Sequence, residues 1–367
     1  MSGYETAGTE GIPLSQANIY ISPLNRYMNK KAEGLNGDSI QKLVQSSCIN
    51  LINEEDRNTF ARLLPEPTYH SIVREPAMIN ALFDKLRVFQ FDEEVDKIID
   101  SIDQEKAKQK NKKSDEYNLL LKNFPLYKRE TKSSKSCHLR LFQQLLEPIF
   151  IKNSVLSKDG SSICRAVQRM QIIHEAKVAD GKHSDLLLES NIEEEAEEGE
   201  VESIELCSIG FKKSNKYKSA LRRQQHKNIK INACILNDIC LLVNDPTLPI
   251  VYLDFSGRSA YIVQLFRFQD CFVSHEVGDF IRMKSLLELD LFRQCILNLY
   301  TWRQFVVNTN NTVLLARLTL ESQYSLVDVS DNRDVKSIVS SSYRVKSIKV
   351  VLSPSKGPKR TRSTFEE

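Results

Sequence analysis

Apolar residues in the first third of the chain recur at the spacing of amphipathic helices. Ile40, Leu43 and Val44 occupy i, i+3 and i+4 positions, which place their side chains on one helix face. A second helix is expected to begin after Asn53, a favourable capping residue, because three acidic residues follow it where the helix dipole favours negative charge. Pro65 ends this helix, since the residue before a proline is disfavoured in the helical conformation.

Further apolar faces at about residues 76–86 and 91–99 extend the helical pattern. Short helices joined by short loops are typical of a small bundle, so the sequence predicts an all-α module over residues 39–104. Helical spacing returns at residues 138–150 and continues beyond them. This pattern predicts a second helical segment over residues 137–180.

The last third of the chain contains short runs rich in Ile, Val, Phe and Tyr, which are typical of strands. A helix is expected from about residue 281 to 307, where apolar residues recur every three or four positions, and the sequence NTNN should then turn the chain. The combination predicts a C-terminal α+β domain over residues 206–352. Strands are expected at residues 204–211, 229–236, 249–255 and 259–268 before this helix, and at 312–320, 324–329 and 345–352 after it.

The remaining segments are polar, strongly charged or of low complexity, and are expected to be disordered. They are the N-terminus at residues 1–38, a basic and polar linker at 105–136, an acidic linker at 181–205 and a basic tail at 353–367. The predicted fold class is therefore a multidomain protein, with an N-terminal all-α helical module, a C-terminal α+β domain, and disordered linkers and tails.

Charge is segregated along the chain, although the formal net charge is only +3. Residues 185–205 include ten acids and no lysine or arginine, whereas residues 212–230 include eight lysines and arginines and no acid. The basic run could contact the phosphates of nucleic acid or of a nucleosome. It could equally be a solvated helix face or the electrostatic partner of the acidic linker. The eight basic residues are Lys212, Lys213, Lys216, Lys218, Arg222, Arg223, Lys227 and Lys230.

The sequence lacks the features that are typical of several functional classes. No apolar run approaches the roughly 18 residues that span a bilayer, and the N-terminus does not resemble a signal peptide. The eight cysteines are scattered without a C-x-x-C pair, which favours reduced, buried residues of an intracellular protein. No nucleotide-binding loop or hydrolase motif occurs. The stretch around Asp254 superficially resembles the metal-binding triplet of protein kinases, but its glycine comes one residue late, which favours a strand followed by a turn. The sequence therefore predicts a protein without enzyme activity, metal or cofactor.

Short signals near the two termini favour a nuclear, phosphorylated protein. The tail residues Lys356, Lys359, Arg360 and Arg362 fit a short nuclear-import signal. Ser22 and Ser353 each precede a proline and are expected sites for proline-directed kinases. A phosphate at Ser353 would add negative charge beside the import signal and weaken it.

Residues 49–108 resemble the deubiquitinase-adaptor domain of Asx-homology proteins. The resemblance is carried by Leu63-Leu64-Pro65-Glu66, by Asn80-Ala81-Leu82-Phe83, and by the run FQFDEEVDKII at 89–99. It implies a non-catalytic role, because members of this family dock a ubiquitin carboxy-terminal hydrolase through an apolar surface. The residues that the resemblance assigns to partner binding are Leu63, Leu64, Pro65, Glu66, Phe83 and Phe91.

The expected function is that of a non-catalytic nuclear adaptor or scaffold subunit in a chromatin- or transcription-regulating complex. Its expected partners are protein subunits of that complex, among them a ubiquitin hydrolase, and chromatin or nucleic acid through the basic run. One alternative is a cell-cycle adaptor regulated by phosphorylation. Another is an enzyme whose active site lies in the α+β domain, which a deep polar pocket with converging ionisable side chains would favour.

Overall fold

The computed structural model describes residues 23–33, 38–74, 135–150, 153–159, 163–173, 182–191, 203–212, 218–257, 259–281, 289–327 and 345–352, together with residues 100, 104 and 107. These residues form an α+β fold built on one mixed sheet of seven strands. The strands are β1 (Cys48–Asn50), β2 (Val155–Asp159), β3 (Leu186–Ser190), β4 (Glu205–Lys212), β5 (Ile250–Ser256), β6 (Ser259–Phe268) and β7 (Cys271–Ile281).

The strand order in the sheet is β1-β7-β6-β5-β4-β3-β2. The pairs β1–β7 and β4–β5 are parallel, and the other four neighbouring pairs are antiparallel. Parallel neighbours need a crossover connection. The long helix between β4 and β5 supplies that crossover in the centre of the sheet.

Seven described helices accompany the sheet. They are α1 (Pro23–Ala32), α2 (Asp38–Gln45), α3 (Glu54–Leu63), α4 (Lys135–Phe150), α5 (Arg165–Ile173), α6 (Lys218–Val243) and α7 (Leu289–Val327). A further helical stretch covers residues 66–74. None of the described helices combines the length and the apolar character that a membrane span requires.

Helices cover both faces of the central strands. Side chains alternate between the two faces along a strand, so Gly210 of β4 and Asp254 of β5 face α6, whereas Phe211 and Phe255 face α4 and α7. On that second face the ring of Phe142 in α4 lies 4.5 Å from the ring of Phe255. Because both faces are covered, almost every residue of β4 and β5 is buried.

The prediction of an independent, all-α N-terminal module is wrong. Residues 48–50 were expected to be helical, but they form β1 and pair in parallel register with Phe272–Ser274 of β7. A short apolar run is compatible with either a strand or a buried helix, and here the long-range pairing decides. The first three helices therefore pack around an edge of the same sheet that contains the C-terminal strands.

Two segments that were expected to be disordered contribute to this fold. Residues 1–38 include α1, where Met28 is fully buried and the Asn25 side chain donates a hydrogen bond of 2.5 Å to Ser47 Oγ. The predicted acidic linker at 181–205 includes β3, all of whose residues are buried. The buried carboxylate of Glu189 in β3 is paired with Lys158 at 2.5 Å, which explains how an acidic residue enters the sheet.

The elements of the C-terminal region agree only partly with the sequence pattern. The predicted strands at 204–211, 249–255 and 259–268 are confirmed as β4, β5 and β6. The predicted strand at 229–236 is wrong, because these residues lie inside α6, which is buried on all sides there and therefore lacks an amphipathic period. The predicted NTNN turn and the strand at 312–320 are also wrong, since both lie inside α7. Residues 345–352 were expected to be a strand but have no strand assignment.

Candidate functional site

A polar recess of about 380 Å³ lies at the carboxyl end of β4, between this strand and the first turns of α6. We call it the β4–α6 recess. Three elements supply its polar lining: the turn before β3, strand β4 and helix α6. Ligands of α/β proteins commonly bind outside the carboxyl ends of parallel strands, and β4 and β5 form such a pair here.

Three basic residues line the β4–α6 recess. Lys212 is the last residue of β4, and Arg223 and Lys227 lie one turn apart on the same face of α6. The ammonium of Lys227 donates to the carbonyl of His183 at 2.9 Å, which holds this side chain towards the turn before β3. The Arg223 Nε donates to the carbonyl of Ser219 within α6 at 3.2 Å. This arrangement makes the wall and mouth of the recess electropositive.

Gly210 leaves the floor of the recess without a side chain. A Cβ atom at this position would lie 2.7 Å from both Asp254 Oδ1 and Gln224 Nε2, and 3.3 Å from Asn228 Nδ2. Real Cβ atoms do not approach polar atoms this closely, so a larger residue would displace the groups around it. A glycine inside a strand often marks a close approach of this kind.

The carboxyl group of Asp254 is buried beside Gly210, its register partner in the sheet. Burial, assisted by the nearby charge of Asp185, raises the pKa of Asp254 to about 7. A hydrogen bond of 3.0 Å from Gln224 Nε2 and the ammonium of Lys212 oppose that shift without cancelling it. Asp254 can therefore both donate and accept a proton at neutral pH.

Asp185, in the turn before β3, is the carboxylate that lines the recess, whereas Asp254 is buried behind the lining. Its Oδ2 accepts a hydrogen bond of 2.7 Å from the backbone N–H of Phe211. Because β3 is antiparallel to β4, with Leu186 opposite Ile209, the residue before β3 lies beside the end of β4. The antiparallel pairing thus positions Asp185 next to Gly210.

A chain of hydroxyl and amide groups completes the floor. Ser184 Oγ lies 2.6 Å from Ser208 Oγ, and Ser208 Oγ in turn donates to Asn228 Oδ1 at 3.0 Å. Two buried atoms, Asn228 Nδ2 and Gln224 Oε1, have no hydrogen-bond partner among the described residues. Most buried polar atoms in folded proteins are paired, so these two atoms are available to bond with a ligand.

The basic run that the sequence marked for nucleic-acid contact divides into separate groups. Lys212, Arg223 and Lys227 meet in the recess, and Lys218 is exposed at the first residue of α6. Lys230 is buried, and this burial lowers its pKa. Lys213 and Lys216 lie outside the described residues.

Arg222 does not line the recess and belongs to an ion-pair cluster centred on the buried carboxylate of Asp56. It pairs with Glu55 at 2.5 Å and with Asp56, which also contacts His226 Nε2 at 2.6 Å. Burial alone would raise the pKa of Asp56, but hydrogen bonds and charge from His226, Arg222 and the capping residue Asn53 outweigh it, and the pKa is lowered. This cluster connects α3 to the helix that carries the recess.

The residues assigned to partner binding do not form one exposed surface. Leu63 and Leu64 are 4% and 5% exposed and fill the core, so they cannot anchor a partner in this fold. Pro65 is half-buried. Glu66 is exposed, and its Oε1 lies 3.6 Å from His70 Nε2. Other predicted site residues lie outside the described residues: Phe83, Phe91, Ser22, Ser353, Lys356, Lys359, Arg360 and Arg362.

The cysteines that the structure describes are all buried. Burial raises the pKa of the Cys240 thiol to about 11, and the Cys164 thiol donates to the buried carboxylate of Glu205 at 3.1 Å. In the described part of the chain, no group of three or more His, Cys, Asp or Glu residues could hold a metal ion.

Sequence reasoning missed Gly210 and the acidic and amide residues in or next to the recess, namely Asp185, Gln224, Asn228 and Asp254. The prediction that Asp254 lies in a strand followed by a turn is confirmed by β5 and by the turn at Gly257, but no functional role for Asp254 was predicted. The glycine inside the strand-like run IELCSIGF was the one signal that could have indicated a close approach.

Comparisons with protein-family models, with curated proteins and with solved structures give no match. The function has to be inferred from the residues of the recess.

Proposed function

We propose that the protein binds the phosphate groups of nucleic acid in the β4–α6 recess, as a non-catalytic adaptor subunit of a nuclear complex that regulates chromatin or transcription. The observation that supports this most directly is the convergence of Lys212, Arg223 and Lys227 on one recess. Lysine and arginine are the residues that most often contact phosphate oxygens.

The charge balance of the recess supports an anionic ligand. Two carboxyl groups lie near the three basic residues: Asp185, which lines the recess, and Asp254, which is buried behind Gly210 and Gln224. The five groups together carry +1 when both carboxyls are ionised. Protonation of Asp254, whose pKa is about 7, raises this charge to +2. A bound phosphate therefore meets net positive charge at neutral pH, and it favours the protonated form of Asp254.

Fewer residues support the protein-docking part of the adaptor role than the sequence indicated. Leu63 and Leu64 are in the core, so a ubiquitin carboxy-terminal hydrolase could contact this region only through surface residues such as Glu66. The nuclear location and the partner subunits are part of the proposal and rest on sequence signals at the termini.

The binding proposal is tested by fluorescence anisotropy with labelled single-stranded and double-stranded oligonucleotides and the full-length chain. The single variants Lys212→Gln, Arg223→Gln and Lys227→Gln should each weaken binding by roughly three- to tenfold, because each removes one phosphate contact. Lys218→Gln is the matched control, since Lys218 lies on the same helix but does not line the recess. Unchanged affinity in the three recess variants, or an equal loss in the control, would contradict the proposal.

A second candidate function is catalysis in the same recess, and one observation favours it. Asp254 has a pKa of about 7, and Asp185 and Lys212 lie close to it. A carboxyl group that exchanges its proton near neutral pH, beside other ionisable groups and next to a recess, is typical of an active site. A phosphodiester bond is the reactive group that the basic lining would bring to it.

Incubation of labelled oligonucleotides with the protein, with and without added divalent cations, tests the second candidate. Cleavage by the wild-type chain that is lost in Asp254→Asn, with oligonucleotide binding retained, would support catalysis. No cleavage under any of these conditions, or cleavage that persists in Asp254→Asn, would contradict a catalytic role for Asp254.

A further inference from the structure

Two buried amide atoms on the floor of the β4–α6 recess lack partners within the described residues. They are Oε1 of Gln224, a residue 9% exposed, and Nδ2 of Asn228, a residue 3% exposed. Both residues line the recess. Unpaired buried polar atoms are unfavourable, so a ligand that supplied their hydrogen bonds would gain affinity from both.

The remaining hydrogen bonds of the two amides determine what they present to the recess. Gln224 Nε2 is engaged by Asp254 Oδ1 at 3.0 Å, so the carbonyl Oε1 remains as an acceptor. Asn228 Oδ1 accepts from Ser208 Oγ at 3.0 Å, so the amino group Nδ2 remains as a donor. The floor therefore offers one acceptor and one donor.

The acceptor and the donor belong to neighbouring side chains. Gln224 and Asn228 are four residues apart on α6, one turn along the same helix face. Their amide nitrogens lie 2.7 and 3.3 Å from the same point, the empty Cβ position of Gly210. The two amide groups are therefore adjacent, and a planar ligand edge that carries a donor beside an acceptor complements Gln224 Oε1 and Asn228 Nδ2.

The rest of the recess narrows the chemical class of that ligand. Ala220 and Ile231 contribute apolar surface to the lining, which suits the face of an aromatic ring better than a sugar hydroxyl. The basic residues Arg223 and Lys227 are exposed, whereas the two amides are buried. A ligand with a charged end outside and a flat polar-edged ring inside would satisfy both parts.

We propose that the recess takes one whole nucleotide, with the edge of its base bonded to Gln224 and Asn228 and its phosphate held by Lys212, Arg223 and Lys227. This rests on the proposed phosphate binding and adds base recognition to it. Asn and Gln amides commonly read a base edge that offers a donor beside an acceptor. Here two side chains share the task that one amide usually performs.

Isothermal titration of the full-length wild-type chain tests base recognition without any substitution. Nucleoside 5′-monophosphates are compared with ribose 5-phosphate, which carries the same phosphate and sugar without a base. At least one of the monophosphates should bind roughly tenfold or more tightly than ribose 5-phosphate. Equal affinities for all of these ligands would overturn the base contact and leave the phosphate proposal standing.

The variant Asn228→Asp tests whether the floor of the recess causes the preference for a monophosphate over ribose 5-phosphate. It keeps the oxygen that accepts from Ser208 and replaces the presented donor by an acceptor. The added negative charge weakens the binding of the preferred monophosphate and of ribose 5-phosphate alike. The informative quantity is therefore the ratio of their two affinities. We expect this ratio to fall towards one, and an unchanged ratio would overturn the assignment to Asn228.

Two outcomes separate this inference from the proposed function. If oligonucleotides bind in a Lys212-dependent manner but no monophosphate binds, the proposal of a single-nucleotide ligand is wrong. The proposal that the recess binds phosphate then still stands. If neither oligonucleotides nor monophosphates bind, both proposals fail.

Discussion

Replacement of Asp254 by asparagine should stabilise the protein at neutral pH. Its carboxyl group has a pKa of about 7 in the folded chain and an ordinary value of 3.8, so the folded state keeps a proton that the unfolded chain releases at a lower pH. The free energy of unfolding therefore falls as the pH rises from about 4 to about 7, and the loss is constant above about pH 7. A difference of about 3 pKa units, at about 1.4 kcal/mol for each unit, corresponds to about 4 kcal/mol.

Asparagine removes the titrating group and keeps the local hydrogen bond. Its side-chain oxygen can still accept from Gln224 Nε2, which lies 3.0 Å from Asp254 Oδ1. Asp254→Asn should thus be more stable than the wild-type chain by up to about 4 kcal/mol at pH 7 and above, with the difference disappearing towards pH 4.

Urea unfolding of both chains at unit steps between pH 4 and pH 8, followed by circular dichroism, measures this difference. Glu66→Gln is a matched control, because it removes a carboxylate that is exposed and contributes little to stability. A difference between Asp254→Asn and wild type that is constant over the whole pH range would refute the reasoning. So would a variant that is less stable than wild type at pH 7.

Three further predictions concern the recess and the cluster behind it. Gly210→Ala should destabilise the protein by about 1–3 kcal/mol in urea unfolding, because the added methyl group would lie 2.7 Å from Asp254 Oδ1, and a neutral effect would contradict this packing. Asp56→Asn should cost about 3–5 kcal/mol at pH 7, because it removes the buried carboxylate that pairs with Arg222 and bonds to His226, and a loss below 1 kcal/mol would contradict the assignment. Since the pKa of Asp56 is lowered, this stabilisation is present above its ordinary value and is lost only as the pH falls through the lower, folded value. Oligonucleotide affinity should increase between pH 8 and pH 6 as Asp254 becomes protonated, and an equal increase in Asp254→Asn would assign the effect to another group.

Local signals in the sequence identified elements whose ends are set by nearby residues. The capping role of Asn53 is confirmed, because its side chain accepts a hydrogen bond of 2.8 Å from the backbone N–H of Asp56. The helix that starts there ends at Leu63, next to the Leu64–Pro65 pair, as the proline predicted. Such signals depend on a few neighbouring residues and require no knowledge of the fold.

Long-range pairing explains why other elements were missed. Residues 48–50 became a strand because β7 provides a partner more than 200 positions away. Residues 229–236 lie in a helix that is buried on every side, so their apolar run carried no helical period. Patterns of burial depend on what surrounds an element, and the chain order alone does not supply that information.

The candidate site was predictable only in its basic residues. Arg223 and Lys227 lie on one face of α6, whereas Arg222 and His226 lie on another, because a helix turns by about 100° for each residue. The sequence pattern of the basic run could not show this division without a correct helix assignment. The acidic and amide groups come from three separate elements, the turn before β3, α6 and β5, and only the fold brings them together.

The salt dependence of oligonucleotide affinity tests the central claim most directly. For the wild-type chain and for the triple variant Lys212→Gln, Arg223→Gln and Lys227→Gln, the logarithm of the association constant is plotted against the logarithm of the salt concentration. Each phosphate contact contributes about 0.7–0.9 to the magnitude of the slope, so the slope of the triple variant, which lacks three contacts, should be smaller in magnitude by about 2–3. An unchanged slope in the triple variant would show that the β4–α6 recess does not hold phosphate.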